Sequence, residues 1–242
     1  MAEKQNNALK FALKNNTAVQ LLEICSVFFV AILILVISKP FVGENPIIRQ
    51  GIAWVANIVM LLIIWLGLRL RGQNLKHFGL SFKSFNMRSV LTSLIVFIAA
   101  VSGFILGAII MANIVGIPES ADMSTYNYLK GNLPMLLVAL LAVFIVSSFG
   151  EEIIYRGFLI TRISEIGGNS KFWLNIAVLV SSIIFGLVHF EWGLMGIGQT
   201  GCMGLALGIS YLVFKRNLWP LILAHAYMDA ILMIQMYLGM SF

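Results

Sequence analysis

Long apolar stretches separated by short polar segments dominate this chain. The apolar runs cover about residues 20–38, 51–68, 89–116, 134–151, 172–190, 194–214 and 218–239. Each has roughly the 20 residues that a helix needs to cross the hydrocarbon core of a bilayer. Because the runs are continuous and do not alternate as barrel strands do, helices are favoured over a transmembrane barrel. The pattern predicts an all-α, polytopic membrane helix bundle of seven transmembrane helices, or eight if one long run is divided.

Composition and charge agree with this prediction. Hydrophobic residues make up 60% of the chain and charged residues 11%, whereas a soluble domain has about 25% charged residues. The net charge of +6 could indicate nucleic-acid binding in a soluble protein. Here the basic residues lie between the apolar runs, so membrane topology explains them and no nucleic-acid partner is expected. With the N-terminus in the cytosol, the outside loops hold only Lys39, Arg49 and Lys130, as the positive-inside rule requires.

The runs divide the chain into three parts. Residues 1–19 form a polar cytosolic N-terminus, residues 20–133 an N-terminal set of transmembrane helices and loops, and residues 134–239 a transmembrane core. Cys25 and Cys202 both fall inside apolar runs, where small core residues are expected rather than a disulfide or a metal pair.

Six ionisable residues inside the runs of the core are the candidates for chemistry. A charge at bilayer depth costs roughly 2.5–3.5 kcal/mol on insertion scales, so such residues usually serve a function. Glu23, in the first turn of its run, is instead interpreted as a boundary residue near water. Unrelated ion pairs between helices are the alternative explanation for the six, which are Glu151, Glu152, Arg156, His189, His225 and Asp229.

Helix geometry predicts that these residues share one intramembrane polar site. Glu152 and Arg156 are four residues apart and can pair on one helix face, which leaves Glu151 free. Around a turn at 167–170, Glu151 and His189 rise by about 24 and 28 Å, which makes them nearly level. His225 reaches the same level if the fourth helix is long, about 134–164, and its hairpin projects into the cytosol. The site is then expected to open toward the cytosol.

A carboxylate and two histidines within reach of water are typical of a hydrolase. Glu151 is the candidate general base. The histidines could stabilise an oxyanion or bind a metal that activates the water. The paired serines, Ser147 with Ser148 and Ser181 with Ser182, are interpreted as packing residues.

Three motifs in this order resemble those of a known family. Residues 151–156 are similar to an EExxxR motif, residues 185–189 to FxxxH, and residues 225–229 to HxxxN/D. Together they resemble the CAAX-protease and bacteriocin-processing (Abi) family of intramembrane endopeptidases, over about residues 134–230. The resemblance implies that Glu151 activates water, that Glu152 assists it and pairs with Arg156, and that His189 and His225 stabilise the tetrahedral intermediate or bind a metal. Asp229 stands where other members often have Asn.

The resemblance also implies partners and a location. The substrate would be a peptide or protein associated with the bilayer. The compact chain resembles the bacterial members of the family, so the bacterial cell membrane is the expected location. No cofactor is certain; a divalent metal such as zinc, if one is used, would be held by His189, His225 and Asp229. A non-catalytic bacteriocin-immunity protein or peptide-binding scaffold is the alternative function, and a proton-coupled transporter is the third. The oligomeric state is left open.

Overall fold

The structure is a computed structural model that describes residues 2–43, 45–116 and 124–240. It is 87% helix, and the described ranges contain no strand, so the all-α prediction is confirmed. Each apolar run forms a helix. The helices are α1 (Ala2–Asn15), α2 (Thr17–Val42), α3 (Pro46–Leu70), α4 (Met87–Val115), α5 (Leu133–Ile166), α6 (Lys171–Leu187), α7 (Gly193–Val213) and α8 (Trp219–Leu238).

Polar caps determine where several helices begin. The side chains of five residues accept hydrogen bonds from first-turn amides, which have no partner inside their own helix. Pro46 and Pro134 stand at first-turn positions, where a missing N–H costs nothing. The capping residues are Asn16, Asn45, Asn86, Asn132 and Ser170.

Six helices in the described residues, α2 to α5, α7 with its preceding turn, and α8, are long and apolar enough to cross a membrane. The fifth predicted run is shorter than expected, since α6 has 17 residues and ends at Leu187. A short 3₁₀ turn, Phe190–Trp192, then leads into α7. The structure therefore supports an integral membrane protein with six candidate spans, and the predicted count of seven or eight stays unconfirmed.

Helix α4 packs against both α7 and α8, and α6 packs against α7. Small residues allow these helices to approach closely, as in membrane helix pairs generally. A Cβ on Gly107 would lie 2.6 Å from the carbonyl oxygen of Gly198, and one on Gly103 would lie 2.8 Å from that of Cys202. The glycine-rich face of the sixth run is thus a packing surface.

The helix with the two glutamates is not a regular α-helix. Within α5, Val143–Phe149 and Glu152–Ile160 are π-helical, and two α-helical residues, Gly150 and Glu151, lie between them. Residues 152–160 are all buried. The hydroxyl of Ser181 on α6 donates to the carbonyl of Tyr155, 2.9 Å away. π-Helical turns are rare and occur often at functional sites.

Residues 72–86, the loop between α3 and α4, form a segment that we name the basic-side strap. The name refers to the end of the bundle at which the loop lies, where the basic residues of the loops cluster. Phe78 is fully buried and packs edge-on against Phe158 of α5. Tyr211 donates to the Phe78 carbonyl at 2.9 Å, and the indole of Trp219 to that of Ser81 at 2.8 Å. Gly79 has φ +83°, and a Cβ there would collide with the Arg216 carbonyl. The strap is therefore a packed element.

Glu23 lies beside the strap, and its interpretation as a boundary residue was wrong. Its carboxylate pairs with Arg71 at the end of α3, and it lies 3.6 Å from Nε of Arg162 on α5. Both arginines are almost fully buried. The ends of α2, α3 and α5 meet here, so the carboxylate neutralises two buried cations instead of facing water.

Candidate active site

Glu152 is the centre of the polar cluster. Its side chain is fully buried, and its Oε1 lies 3.0 Å from Nη1 of Arg156 and 2.9 Å from Nδ1 of His225. The predicted pairing of Glu152 with Arg156 is thus present, and the contact with His225 was not foreseen. Because an ionised carboxylate only accepts hydrogen bonds, Nδ1 of His225 carries the proton.

The second nitrogen of His225 faces two further carboxylates. Its Nε2 lies 4.0 Å from Oε2 of Glu151 and 3.7 Å from Oδ2 of Asp229, which is one turn along α8. Both separations exceed a hydrogen bond, so Nε2 makes no direct bond to either oxygen. The imidazole stands between three carboxylates, with one nitrogen bonded and the other available.

Glu151 is less buried than Glu152, with 14% of its side chain exposed. Its Oε1 lies 3.5 Å from Nδ2 of Asn57 on α3, which donates a long hydrogen bond. Sequence reasoning missed Asn57 because it counted only ionisable groups. A signal was present, since Asn57 is a lone amide inside an otherwise apolar run, and buried amides also need partners in a membrane.

His189 joins the cluster through aromatic rings rather than through a carboxylate. Its Nδ1 lies 2.7 Å from the Phe185 carbonyl oxygen, so that nitrogen donates and Nε2 is the free acceptor. The ring centroid of Phe185 is 4.9 Å from that of His189 and 6.1 Å from that of His225. The guanidinium of Arg156 stacks over Phe185 at 4.2 Å. Phe185 therefore links both histidines and the arginine.

Gly204 on α7 makes room for this arrangement. A Cβ at that position would lie 3.1 Å from the Phe185 ring and 3.5 Å from Nη2 of Arg156. Three buried polar atoms of the site have no hydrogen-bond partner among the described residues: Nη2 and Nε of Arg156 and Oε2 of Glu152. Such atoms in native proteins are commonly satisfied by water or ligand.

Asp229 faces a cavity between α5 and α8. Oδ2 of Asp229 accepts a hydrogen bond of 2.7 Å from the hydroxyl of Ser148, which is fully buried. The prediction that Ser148 only packs was therefore incomplete. The cavity has a volume of about 350 Å³. Its walls are mainly apolar and consist of Leu140, Leu141, Val143, Phe144, Ser148, Ala226, Asp229 and Ala230.

The side opposite the basic-side strap is covered by a 3₁₀ turn, Ser124–Leu129, that packs on α5 and α8. Burial raises the pKa of Tyr126 in this turn, and the charges of Glu191 and Asp229 raise it further, against a lowering hydrogen bond with Trp192. Tyr126 therefore lies in the electrostatic field of the cluster.

The predicted metal ligands do not form a metal-binding group. Among the described residues, no three His, Cys, Asp or Glu side chains are arranged to hold an ion. Nδ1 of His225 is bonded to Glu152, Nδ1 of His189 to a carbonyl, and Asp229 to Ser148. These bonds leave Nε2 of each ring as the nitrogen that could ligate an ion, because a metal-binding histidine commonly donates its other ring N–H to a carboxylate or carbonyl. The divalent metal stays a prediction.

Comparison with known proteins gives a family for the core of the chain. Residues 133–231 match the family model described as Type II CAAX prenyl endopeptidase Rce1-like. The match begins with α5 and ends two residues after Asp229, so it contains all three motifs. No curated protein and no solved structure matches the chain. Residues 133–231 are therefore similar to the Rce1-like type II CAAX prenyl endopeptidase family, as the motifs predicted.

Proposed function

We propose that this protein is an intramembrane endopeptidase that hydrolyses a peptide bond of a membrane-associated or lipidated peptide or protein. The observation that carries the proposal is the position of His225. One nitrogen is bonded to buried Glu152, while the other stands 4.0 Å from Glu151, inside the region that matches a protease family. Such a gap suits a water or a substrate oxygen between an acid and a base.

Glu151 is the proposed base. It has the partly exposed carboxylate of the pair, whereas Glu152 is occupied by Arg156 and His225. Glu151 takes a proton from water as the water oxygen attacks the carbonyl carbon of the scissile bond. The proton then passes to the leaving nitrogen when the tetrahedral intermediate collapses and the C–N bond breaks. Positioned proton transfer of this kind typically contributes about 10²–10⁴-fold to rate.

The histidines are proposed to stabilise the charge that forms on the carbonyl oxygen. With its ring protonated, His225 donates from Nε2 while Nδ1 stays bonded to Glu152, which holds the ring in place. His189 has its Nδ1 proton fixed by the Phe185 carbonyl, so Nε2 is directed away from its own helix turn. With its ring protonated, His189 donates from Nε2 to the carbonyl oxygen while Nδ1 stays bonded to Phe185.

Access to the site is proposed to be lateral. The basic-side strap, with Phe78 buried against α5, lies between the site and the predicted cytosolic surface. The cavity beside Asp229 has apolar walls and is bordered by the exposed residues Leu141 and Phe144. A substrate held in the bilayer would pass along these walls to Asp229, whose carboxylate lies 3.7 Å from Nε2 of His225. This route differs from the direct cytosolic opening that the sequence predicted, and both that opening and the cytosolic N-terminus stay predictions.

A cleavage assay tests the proposal. Purified protein in liposomes would be given membrane-anchored peptides, and the new C-termini would be identified by mass spectrometry. We expect Glu151→Ala and His189→Ala to abolish cleavage while both variants remain folded in the membrane. Cleavage by both variants at the wild-type rate would contradict the proposal and favour the non-catalytic scaffold. Parallel assays with a chelator and metal analysis test the predicted divalent metal separately.

A further inference from the structure

A serine next to the motif carries a contact that the proposed mechanism leaves unexplained. Ser148 lies on the first π-helical segment of α5, three residues before Glu151, and is fully buried. Its hydroxyl is 2.7 Å from Oδ2 of Asp229. The only other acceptor described for this hydroxyl is the Val143 carbonyl, at 3.5 Å. A hydroxyl has one proton to donate, and the shorter contact to a charged oxygen is the stronger one.

The oxygen that Ser148 binds is the one nearest His225. Oδ2 of Asp229 lies 3.7 Å from Nε2 of the imidazole. A shift of less than 1 Å would convert this separation into a direct charge-assisted hydrogen bond, which forms at about 2.7–2.9 Å. That bond would occupy the nitrogen that the proposed function reserves for the substrate oxygen. The Asp229 carboxylate therefore competes with the substrate oxygen for Nε2 of His225 unless another contact keeps the carboxylate away from the imidazole.

We propose that Ser148 is a positioning residue that holds the Asp229 carboxylate away from Nε2 of His225. Its hydroxyl satisfies Oδ2 from the α5 side, so Asp229 contributes charge to the site without bonding to the imidazole. The inference rests on the proposed function for its effect on rate, while the contact itself can be tested without activity. It goes beyond the three motifs, since Ser148 lies outside all of them.

The kinetic test is a double-mutant cycle between Ser148→Ala and Asp229→Asn. In the wild-type background we expect Ser148→Ala to lower kcat about tenfold, the scale of one lost hydrogen bond to a charged group, with KM within about twofold. An asparagine cannot form the competing ion pair, so in the Asp229→Asn background the same change should cost less than about twofold. Ser148→Thr keeps the hydroxyl and should retain kcat within about threefold. The neighbouring Ser147→Ala is the matched control and should leave kcat unchanged.

Equal losses of kcat from Ser148→Ala in both backgrounds would overturn the proposal, as would an equal loss from Ser147→Ala. The same four variants of the cycle are also melted in detergent. Ser148→Ala should lower Tm when Asp229 is present and change it little when Asn replaces it. Wild-type protein that cleaves nothing would refute the proposed function, and the Tm cycle would then decide the contact alone. Coupled Tm values would support Ser148 holding Asp229, and additive values would overturn it.

Discussion

Glu151 and Glu152 are adjacent and chemically identical, but we expect their substitution by glutamine to affect different properties, cleavage in one case and stability in the other. Glu152 is fully buried and binds both Arg156 and His225 through one oxygen. Glu151 has a single long hydrogen bond, from Asn57 at 3.5 Å. We therefore expect Glu152→Gln to reduce the stability of the fold, and Glu151→Gln to leave it nearly intact while abolishing cleavage.

The expected magnitudes follow from these contacts. Removing one partner of a buried ion pair costs about 3–5 kcal/mol, because the other charge stays buried without compensation. The glutamine oxygen can still accept one hydrogen bond, so we expect the lower end for Glu152→Gln, about 3 kcal/mol. At position 151, glutamine can still accept from Asn57, and the loss should be at most about 1 kcal/mol.

Reversible unfolding of both variants in detergent micelles measures this difference directly. The free energy of unfolding of each is compared with wild type under one set of conditions, and α-helical content by circular dichroism confirms that both start folded. Equal losses, or a larger loss for Glu151→Gln, would refute the assignment of Glu152 to architecture and of Glu151 to chemistry.

Three further predictions concern the surroundings of the site. Phe78→Ala should destabilise the fold by about 3–5 kcal/mol, whereas Phe82→Ala in the same strap, 89% exposed, should change the free energy of unfolding by less than about 0.5 kcal/mol. Glu23→Gln should cost about 3 kcal/mol in the same unfolding assay, because Arg71 and Arg162 lose their shared anion; a change under 1 kcal/mol would contradict this. Burial raises the pKa of Tyr126 above its ordinary 10.0, so its contribution to stability is complete below about pH 10 and lost as pH rises through the folded-state pKa. Tyr126→Phe should therefore flatten the alkaline decline in stability, and an unchanged pH profile would contradict the burial of this phenol.

The sequence predicted best the ionisable residues of the transmembrane core. A charge inside a membrane is energetically unfavourable, so few roles can account for its presence. Glu151, Glu152, Arg156, His225 and Asp229 are found within one cluster, because a charge inside an apolar run needs a partner at the same depth. The long fourth helix follows from the same spacing, and the structure has it as Leu133–Ile166. The runs were predictable because hydrophobic length alone specifies a spanning helix.

The features that could not be predicted from the sequence depend on contacts between helices that are far apart along the chain. Glu23 looks like a boundary residue until the ends of α3 and α5 bring Arg71 and Arg162 to it. Ser148 looks like a packing residue until α8 places Asp229 beside it. The pattern of apolar and polar residues over 143–160 does not indicate that α5 is π-helical there. The strap depends on Gly79 fitting against Arg216, which lies far away in the chain.

The central claim, that Glu151 activates water for peptide hydrolysis, is tested most directly by single-turnover cleavage with wild type and Glu151→Gln at matched folded concentrations. The predicted result is a loss of rate of about 10³-fold or more in the variant, with substrate binding preserved. A variant that cleaves within about threefold of the wild-type rate would contradict the account.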